Sequence, residues 1–207
     1  MIERRHNFKS EGSEKKVCAG TLESTLLELD AKTGLTKYQF LPPVLYWSGK
    51  RKVFGVTSPL VGGTTKDKEL VVSDLLAMKS WINILRSVGT PFDITVNIHR
   101  FADGRYLIEG FGSSQSVRAA FSGDHYKAGR LYSYPECCIE FAVQNWGNTN
   151  NMSDQFDQKR PELAQYHLHN PCSPNCEQTV KLATEYRNFI VTNFPRIAKR
   201  LENGKSQ

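Results

Sequence analysis

Four cysteines stand in two pairs, and this arrangement constrains the fold more strongly than any other feature of the sequence. Cys137 and Cys138 are adjacent, Cys172 and Cys176 are separated by three residues, and the fifth cysteine, Cys18, lies far upstream in the 207-residue chain. Each pair coincides with signals for a helix N-terminus. A fold in which all four thiols serve one centre must therefore bring two helix starts to one place.

The residues around the first pair, SYPECCIEF, predict a helix from about residue 134 to about residue 146. Ser133 and Glu136 have the spacing of a capping box, and Pro135 fits the first turn, where its missing N–H has no intrahelical partner. Consecutive helical side chains diverge by about 100°. Either one of the two sulfurs packs while the other acts, or the backbone bends so that both reach one centre.

The residues around the second pair, HNPCSPNCEQTV, predict a helix from about residue 174 to about residue 193. Ser173 fits the N-cap, Pro174 fits the first helical position, and Cys176 falls on the first turn. Helix starts carry partial positive charge and free N–H groups. Both features stabilise thiolates and lower cysteine pKa values, so the sulfurs at both helix starts are expected to be charged.

Four thiolates match the ligand count of a tetrahedral zinc site or of an iron–sulfur cluster. The spacing C-C-x33-C-x3-C is neither the usual zinc pattern with C-x2-C knuckles nor the C-x3-C-x2-C signature of radical enzymes. Prolines beside the cysteines and ligands at helix starts favour an iron–sulfur cluster over zinc. His169, three residues before Cys172, and His125, upstream of the first pair, are further candidate metal ligands.

Two other interpretations of the thiols stay open, and two more fit the sequence less well. A three-thiolate site, with Cys137 or Cys138 turned into the core, leaves a coordination position for a substrate or a histidine and would make the protein an enzyme. A metal-free thiol-redox protein would use one thiol as the nucleophile and another to resolve the disulfide. Burial of free cysteines explains four thiols at two matched helix starts less well, and disulfides are disfavoured in a cytosolic protein.

The chain is predicted to be an α+β protein with a mainly β N-terminal half and a helical, cysteine-bearing C-terminal half. Residues 1–16 are polar and charged and are expected to form a flexible arm. Residues 17–113 are expected to be β-rich with one helix. Residues 114–207 are expected to form the helical part that holds the thiols, either as a separate domain or as one continuous domain with 17–113.

Three segments carry the prediction for the N-terminal half. Residues 92–112 alternate apolar and polar side chains around an Asp103-Gly104 turn, which is typical of a β-hairpin. Apolar residues at spacings of four and three over residues 71–85 predict one amphipathic helix. Residues 35–58 contain β-rich pieces around the interruption at Pro42-Pro43.

Composition indicates the compartment and the partners. No apolar run approaches the ~18 residues of a membrane helix, and the start MIERRHNFKSEGSEKK lacks the apolar core of a secretory signal, so a cytoplasmic location without a membrane partner is expected. The net charge is +6, with an excess of basic residues from Lys181 onward. That excess fits a solvated helix face or, alternatively, a nucleic-acid-binding module in which a structural zinc stiffens the helical part and the basic C-terminal helix contacts nucleic acid.

The motifs GRLYSYPECCIEF and HNPCSPNC, each leading into a helix, resemble a prokaryotic family catalogued as domain of unknown function number four-eight-three. That family has a Tyr-Pro-x-Cys-Cys helix start and a later Pro-Cys-x-x-x-Cys motif, and the resemblance covers roughly residues 114–190. The resemblance implies that the tyrosine, prolines and cysteines of both motifs belong to one site: Tyr134, Pro135, Cys137, Cys138, Pro171, Cys172 and Cys176. It implies no particular reaction.

Overall fold

Helices account for most of the described secondary structure, and the chain separates into two units. The computed structural model describes residues 4–8, 19–33, 35, 37–51, 54–57, 64–87, 94–100, 102–112, 124–145 and 151–203. The first unit is Met1–Arg118 and the second is Ala119–Gln207. Among the described residues, none of the helices combines the length and the apolar composition needed to cross a bilayer.

The first unit combines helices with an antiparallel sheet. Its helices are α1 (Ala19–Thr33), α2 (Lys37–Trp47) and α3 (Lys68–Ser87). Its strands are β1 (Arg4–Phe8), β2 (Phe54–Thr57), β3 (Thr64–Thr65), β4 (Ile94–Arg100) and β5 (Tyr106–Gly112). The sheet order is β1-β4-β5-β2, and β3 also pairs with β5.

The predicted hairpin is confirmed as the central pair of this sheet. Strands β4 and β5 pair with Ile98 opposite Ile108, and Gly104 in the connecting turn has a φ of 83°. Glycine adopts a positive φ at no steric cost, which is why Asp-Gly is a reliable turn signal. The backbone N–H and the Nε–H of Arg105 donate to the Asp103 carboxylate at 3.1 Å and 2.6 Å, and these contacts lower the pKa of Asp103.

The prediction of a mainly β N-terminal half with one helix is wrong. Helices α1, α2 and α3 contain 15, 11 and 20 residues, whereas strands β1 to β5 contain 5, 4, 2, 7 and 7. Only α3 coincides with the predicted helix over residues 71–85. Within the segment 35–58, interpreted as β-rich, Lys37–Trp47 form α2, and Arg4–Phe8 form strand β1 within the expected flexible arm.

Helix α2 forms in spite of its two internal prolines because its apolar face is completely buried. Phe40, Leu41, Val44 and Leu45 recur at helical spacing and are each 0% exposed. Burying side chains of this kind contributes about 1.5–3 kcal/mol each, which offsets the roughly 3 kcal/mol that an interior proline costs. The aromatic and β-branched residues favour a strand locally, and burial in the folded unit overrides that preference.

The second unit is helical in its described residues. It contains α4 (His125–Leu131), α5 (Glu136–Gln144), α6 (Met152–Lys159), α7 (Glu177–Asn193) and α8 (Pro195–Asn203). Residues 160–176 connect α6 to α7 through turns. The large buried apolar side chains come from α5 to α8, from this connection and from the residue between α7 and α8: Ile139, Phe156, Tyr166, Ile190, Phe194, Ile197 and Leu201. Cys18 lies outside the described residues.

Candidate metal centre

Four thiols meet at one point in the second unit, and we call Cys137, Cys138, Cys172 and Cys176 the four-thiol group. Their Sγ atoms all lie within 4.8 Å of one another. The Sγ–Sγ distance is 3.9 Å between Cys137 and Cys138, 3.7 Å between Cys137 and Cys176, and 3.6 Å between Cys138 and Cys176. The fold therefore brings together the four cysteines that the sequence singles out, in an arrangement that can hold a metal ion.

Cys137 and Cys138 occupy the first turn of α5, directly after Pro135. Pro135 is the N-cap, with φ −60° and ψ 138°, and its carbonyl accepts the N–H groups of Cys138 and Ile139 at 2.9 Å and 3.0 Å. The predicted cap at Ser133 is wrong, because Ser133 has a positive φ of 58° in the turn that follows α4. The two adjacent sulfurs converge although successive helical side chains diverge by about 100°.

Helix α4 determines where α5 begins. Gly129 of α4 faces Ile139 so closely that a Cβ at position 129 would lie 2.7 Å from Ile139 Cγ1. The Tyr134 N–H donates to the Gly129 carbonyl at 3.0 Å. An exposed ion pair joins Arg130 Nε to Glu136 Oε1 at 2.6 Å. Because exposed pairs contribute little, the tight contact between Gly129 and Ile139 is the stronger constraint on the first pair of cysteines.

Cys172 and Cys176 flank a turn that ends where α7 begins. Cys176 is the N-cap of α7, with φ −59° and ψ 105°. Its N–H donates to the Ser173 carbonyl at 3.2 Å, and its carbonyl accepts the Val180 N–H at 3.0 Å. The predicted helix start at Pro174 is too early, since α7 begins at Glu177. The residues expected to open the helix instead form the turn that returns Cys176 to Cys172.

Burial and hydrogen-bond donors give the thiols different acidities. Burial raises the pKa of Cys138 far above its ordinary value and raises the pKa of Cys172 to about 12. Burial acts in the same direction on Cys176, but the hydroxyl and backbone N–H of Thr179 face its sulfur, and the pKa is lowered to about 7. Desolvation therefore opposes the expected negative charge on the Cys138 and Cys172 sulfurs, whereas the Thr179 donors favour it on the Cys176 sulfur.

Neither of the two candidate histidines belongs to the group of residues that could hold a metal ion among the described residues. Nε2 of His169 lies 3.0 Å from Oγ1 of Thr179, and that oxygen lies 3.4 Å from Sγ of Cys138. His169 is thus separated from the sulfurs by a threonine hydroxyl. His125 is an exposed residue at the start of α4 and is not part of the group of possible ligands found among the described residues.

Three polar side chains, Thr179, His167 and Asp157, form contacts that the sequence does not predict. Thr179 is buried on the first turn of α7. His167 is 1% exposed, with Nε2 at 2.6 Å from Asp157 Oδ1 and Nδ1 at 3.0 Å from the His169 carbonyl oxygen. A lone threonine and an aspartate ten residues before a histidine have no distinctive spacing, so only the fold shows that the threonine contacts the Cys138 sulfur and that Asp157 and His167 hold the backbone at His169.

Comparison with known proteins identifies no relative. The chain matches no family model, no curated protein and no solved structure. The chemistry of the four-thiol group therefore has to be argued from its own geometry.

Proposed function

We propose that the second unit is a zinc-binding module in which the four-thiol group holds one Zn²⁺ ion. The spacing of the sulfurs carries this proposal. In a tetrahedral site with Zn–S bonds of about 2.3 Å, neighbouring sulfurs lie about 3.8 Å apart. The separations of 3.6, 3.7 and 3.9 Å bracket that value, and the Cys172 sulfur completes the group within 4.8 Å.

The same spacing argues against an iron–sulfur cluster as the occupant. In a [4Fe–4S] cluster each thiolate binds a different iron, and the irons and sulfides hold the thiolate sulfurs on the order of 6 Å apart. Four sulfurs within 4.8 Å of one another fit a single ion better. We therefore place zinc ahead of the iron–sulfur cluster that the sequence favours. One iron ion would need the same geometry, and elemental analysis distinguishes the two metals.

Polar groups around the sulfurs support a doubly charged tetrathiolate. Four thiolates exceed the charge of one Zn²⁺ ion by two, so hydrogen-bond donors have to compensate. The backbone N–H of Cys172 faces the Cys138 sulfur, and the hydroxyl and N–H of Thr179 face the Cys176 sulfur. Both pairs of thiols also stand at the positively polarised ends of helices.

We infer a structural role for this ion. Four protein ligands complete a tetrahedral site and leave no position for a substrate. Cys138 and Cys176 are only 3% and 6% exposed. The ion would join the starts of α5 and α7, which are far apart in the sequence, and its binding free energy would become folding free energy of this unit.

The first test is the metal content of the wild-type protein. The protein is purified under reducing conditions without chelator, and zinc, iron and acid-labile sulfide are measured on one sample. We expect one zinc ion per chain and no visible colour. Several iron ions and sulfide per chain would indicate an iron–sulfur cluster instead of zinc. A protein that neither contains zinc nor takes it up would refute the proposal.

Cysteine variants then test the ligand set. Cys138→Ser and Cys176→Ser each remove one ligand from a different helix start, so we expect loss of zinc and loss of helical signal from the second unit. Cys18→Ser is the matched control, because the four other thiols already complete the coordination. Full zinc content and unchanged stability in either ligand variant would contradict the assignment.

A further inference from the structure

Thr179 lies between the four-thiol group and an imidazole ring. Its side chain is 0% exposed. Its Oγ1 is 3.4 Å from the Cys138 sulfur and 3.0 Å from His169 Nε2, and its hydroxyl also faces the Cys176 sulfur. One hydroxyl thus contacts sulfurs from both helix starts and connects them to the segment around residue 169.

The chemistry of these groups determines the direction of the hydrogen bonds. A hydroxyl has one proton to donate and two lone pairs that accept. A thiolate bound to a metal ion has no proton and only accepts. The Thr179 proton therefore points to sulfur, and the hydrogen bond between His169 Nε2 and Thr179 Oγ1 requires the proton to be on Nε2.

We propose that Thr179 and His169 are positioning residues of the zinc centre, an inference that rests on the zinc-binding function proposed above. His169 Nε2–H donates to Thr179 Oγ1, and the Thr179 hydroxyl donates to a metal-bound thiolate. This chain orients the ligand sulfurs and offsets part of their negative charge. Removing a hydrogen-bond partner of a metal ligand typically weakens metal binding by about 10- to 100-fold.

The imidazole of His169 is itself held in place. Its ring lies against the Tyr134 ring, with centroids 5.1 Å apart and planes inclined by 32°. The Tyr134 hydroxyl donates to the Leu168 carbonyl at 3.0 Å. The backbone at His169 is held as well, because His167 Nδ1 is 3.0 Å from the His169 carbonyl oxygen and His167 Nε2 is 2.6 Å from Asp157 Oδ1. The donor on His169 is therefore oriented before a metal ion binds.

Zinc affinity of threonine variants, measured by competition with a chromogenic chelator, tests this proposal. Thr179→Val keeps the branched shape and removes the hydroxyl, so we expect zinc binding about 10- to 100-fold weaker than in the wild type. Thr179→Ser keeps the hydroxyl and should bind close to the wild-type affinity. Thr184→Val makes the same change at an exposed position of α7 and should have no effect.

Two further measurements separate hydrogen bonding from packing. His169→Phe keeps a ring against Tyr134 and removes the N–H donor, so zinc binding should weaken, whereas His169→Gln keeps a donor and should restore part of it. In wild-type protein loaded with an NMR-active cadmium isotope, we expect scalar coupling between the metal and the Thr179 hydroxyl proton. That coupling is transmitted only through a hydrogen bond to a metal-bound sulfur.

The outcomes distinguish this inference from the function on which it rests. Wild-type zinc affinity in Thr179→Val, or a cadmium spectrum without coupling to the hydroxyl proton, overturns the positioning role while zinc binding stands. A wild-type chain that binds no zinc overturns both. If Thr179→Val does not fold, the cadmium spectrum of the wild type and the comparison of His169→Phe with His169→Gln still decide the question.

Discussion

Replacing Gly129 with alanine tests whether the contact between α4 and α5 positions the metal centre. A Cβ at position 129 would lie 2.7, 2.9 and 3.1 Å from Cγ1, Cδ1 and Cγ2 of Ile139. The isoleucine is 4% exposed, so its side chain has little free space to move into. The two helices therefore have to separate, and because Ile139 directly follows Cys138, the sulfurs of the first pair move with it.

Two opposing effects determine how much Gly129→Ala changes the free energy of unfolding. Alanine is favoured over glycine inside a helix by about 1 kcal/mol. Overpacking a buried contact costs about 1–3 kcal/mol, and two carbon atoms of one side chain would lie closer than 3.0 Å with a third at 3.1 Å, which places the cost in the upper part of that range. We expect a net loss of about 1–2 kcal/mol in the free energy of unfolding, together with weaker zinc binding.

Urea unfolding of the zinc-loaded protein, followed by circular dichroism, measures this loss. Gly20→Ala in α1 is the matched control, because nothing lies within 4 Å of its new Cβ, and it should leave stability unchanged or slightly raised. Ile139→Ala removes all three contacting carbons, so the double variant should show a favourable coupling of about 1 kcal/mol or more. A Gly129→Ala protein with wild-type stability and zinc affinity would refute the reasoning.

The remaining predictions concern protons and the polar pair beside the site. Zinc binding at about pH 8 should release at least about two protons, because the pKa of Cys138 is raised and that of Cys172 is about 12. Below about pH 7, the pKa of Cys176, the proton of this thiol competes as well, so the affinity should fall more steeply as the pH falls. Calorimetry in buffers of different ionisation enthalpy counts these protons, and a pH-independent affinity would contradict the prediction. Asp157→Asn removes the carboxylate that holds His167, which should lower the free energy of unfolding by about 1–3 kcal/mol, near the lower end because Asp157 is 33% exposed. Asp154→Asn, an exposed position on the same helix, is its control, and equal urea midpoints for the two variants would exclude the effect.

The four-thiol group could be predicted from the sequence because it depends on residue identity and on local helix signals. Cysteines are rare, and their chemistry is specific, so two pairs at two helix starts already indicate a common centre. The hydrogen bonds around that centre could not be predicted in the same way. Thr179 is one of many threonines, and its contact with His169 depends on how residues 160–176 fold back onto α7.

Elements of the fold could be predicted where their sequence patterns are local. They could not be predicted where burial in the folded unit determines whether a segment forms a helix or a strand. The hairpin of β4 and β5 combines alternating side chains with an Asp-Gly turn, both of which act over a few residues. Helix α1 carries a usable signal, since Leu22, Leu26 and Leu29 recur at helical spacing and are buried. The sequence of helix α2 carries a misleading signal, because its prolines and aromatic residues disfavour a helix locally. Burial of its apolar face outweighs that preference.

The second pair of cysteines lies in the connection of residues 160–176, and its place there can be related to how this connection is held. This connection forms turns, and backbone hydrogen bonds within it, such as Leu163 N–H to the Arg160 carbonyl and Tyr166 N–H to the Leu163 carbonyl, are short-range. Side chains therefore have to hold it: buried Tyr166, the His167–Asp157 pair and the second pair of thiols. The first pair stands on α5, which close packing against α4 holds in place. A metal ion shared by the two pairs would thus add stability to a connection that consists of turns.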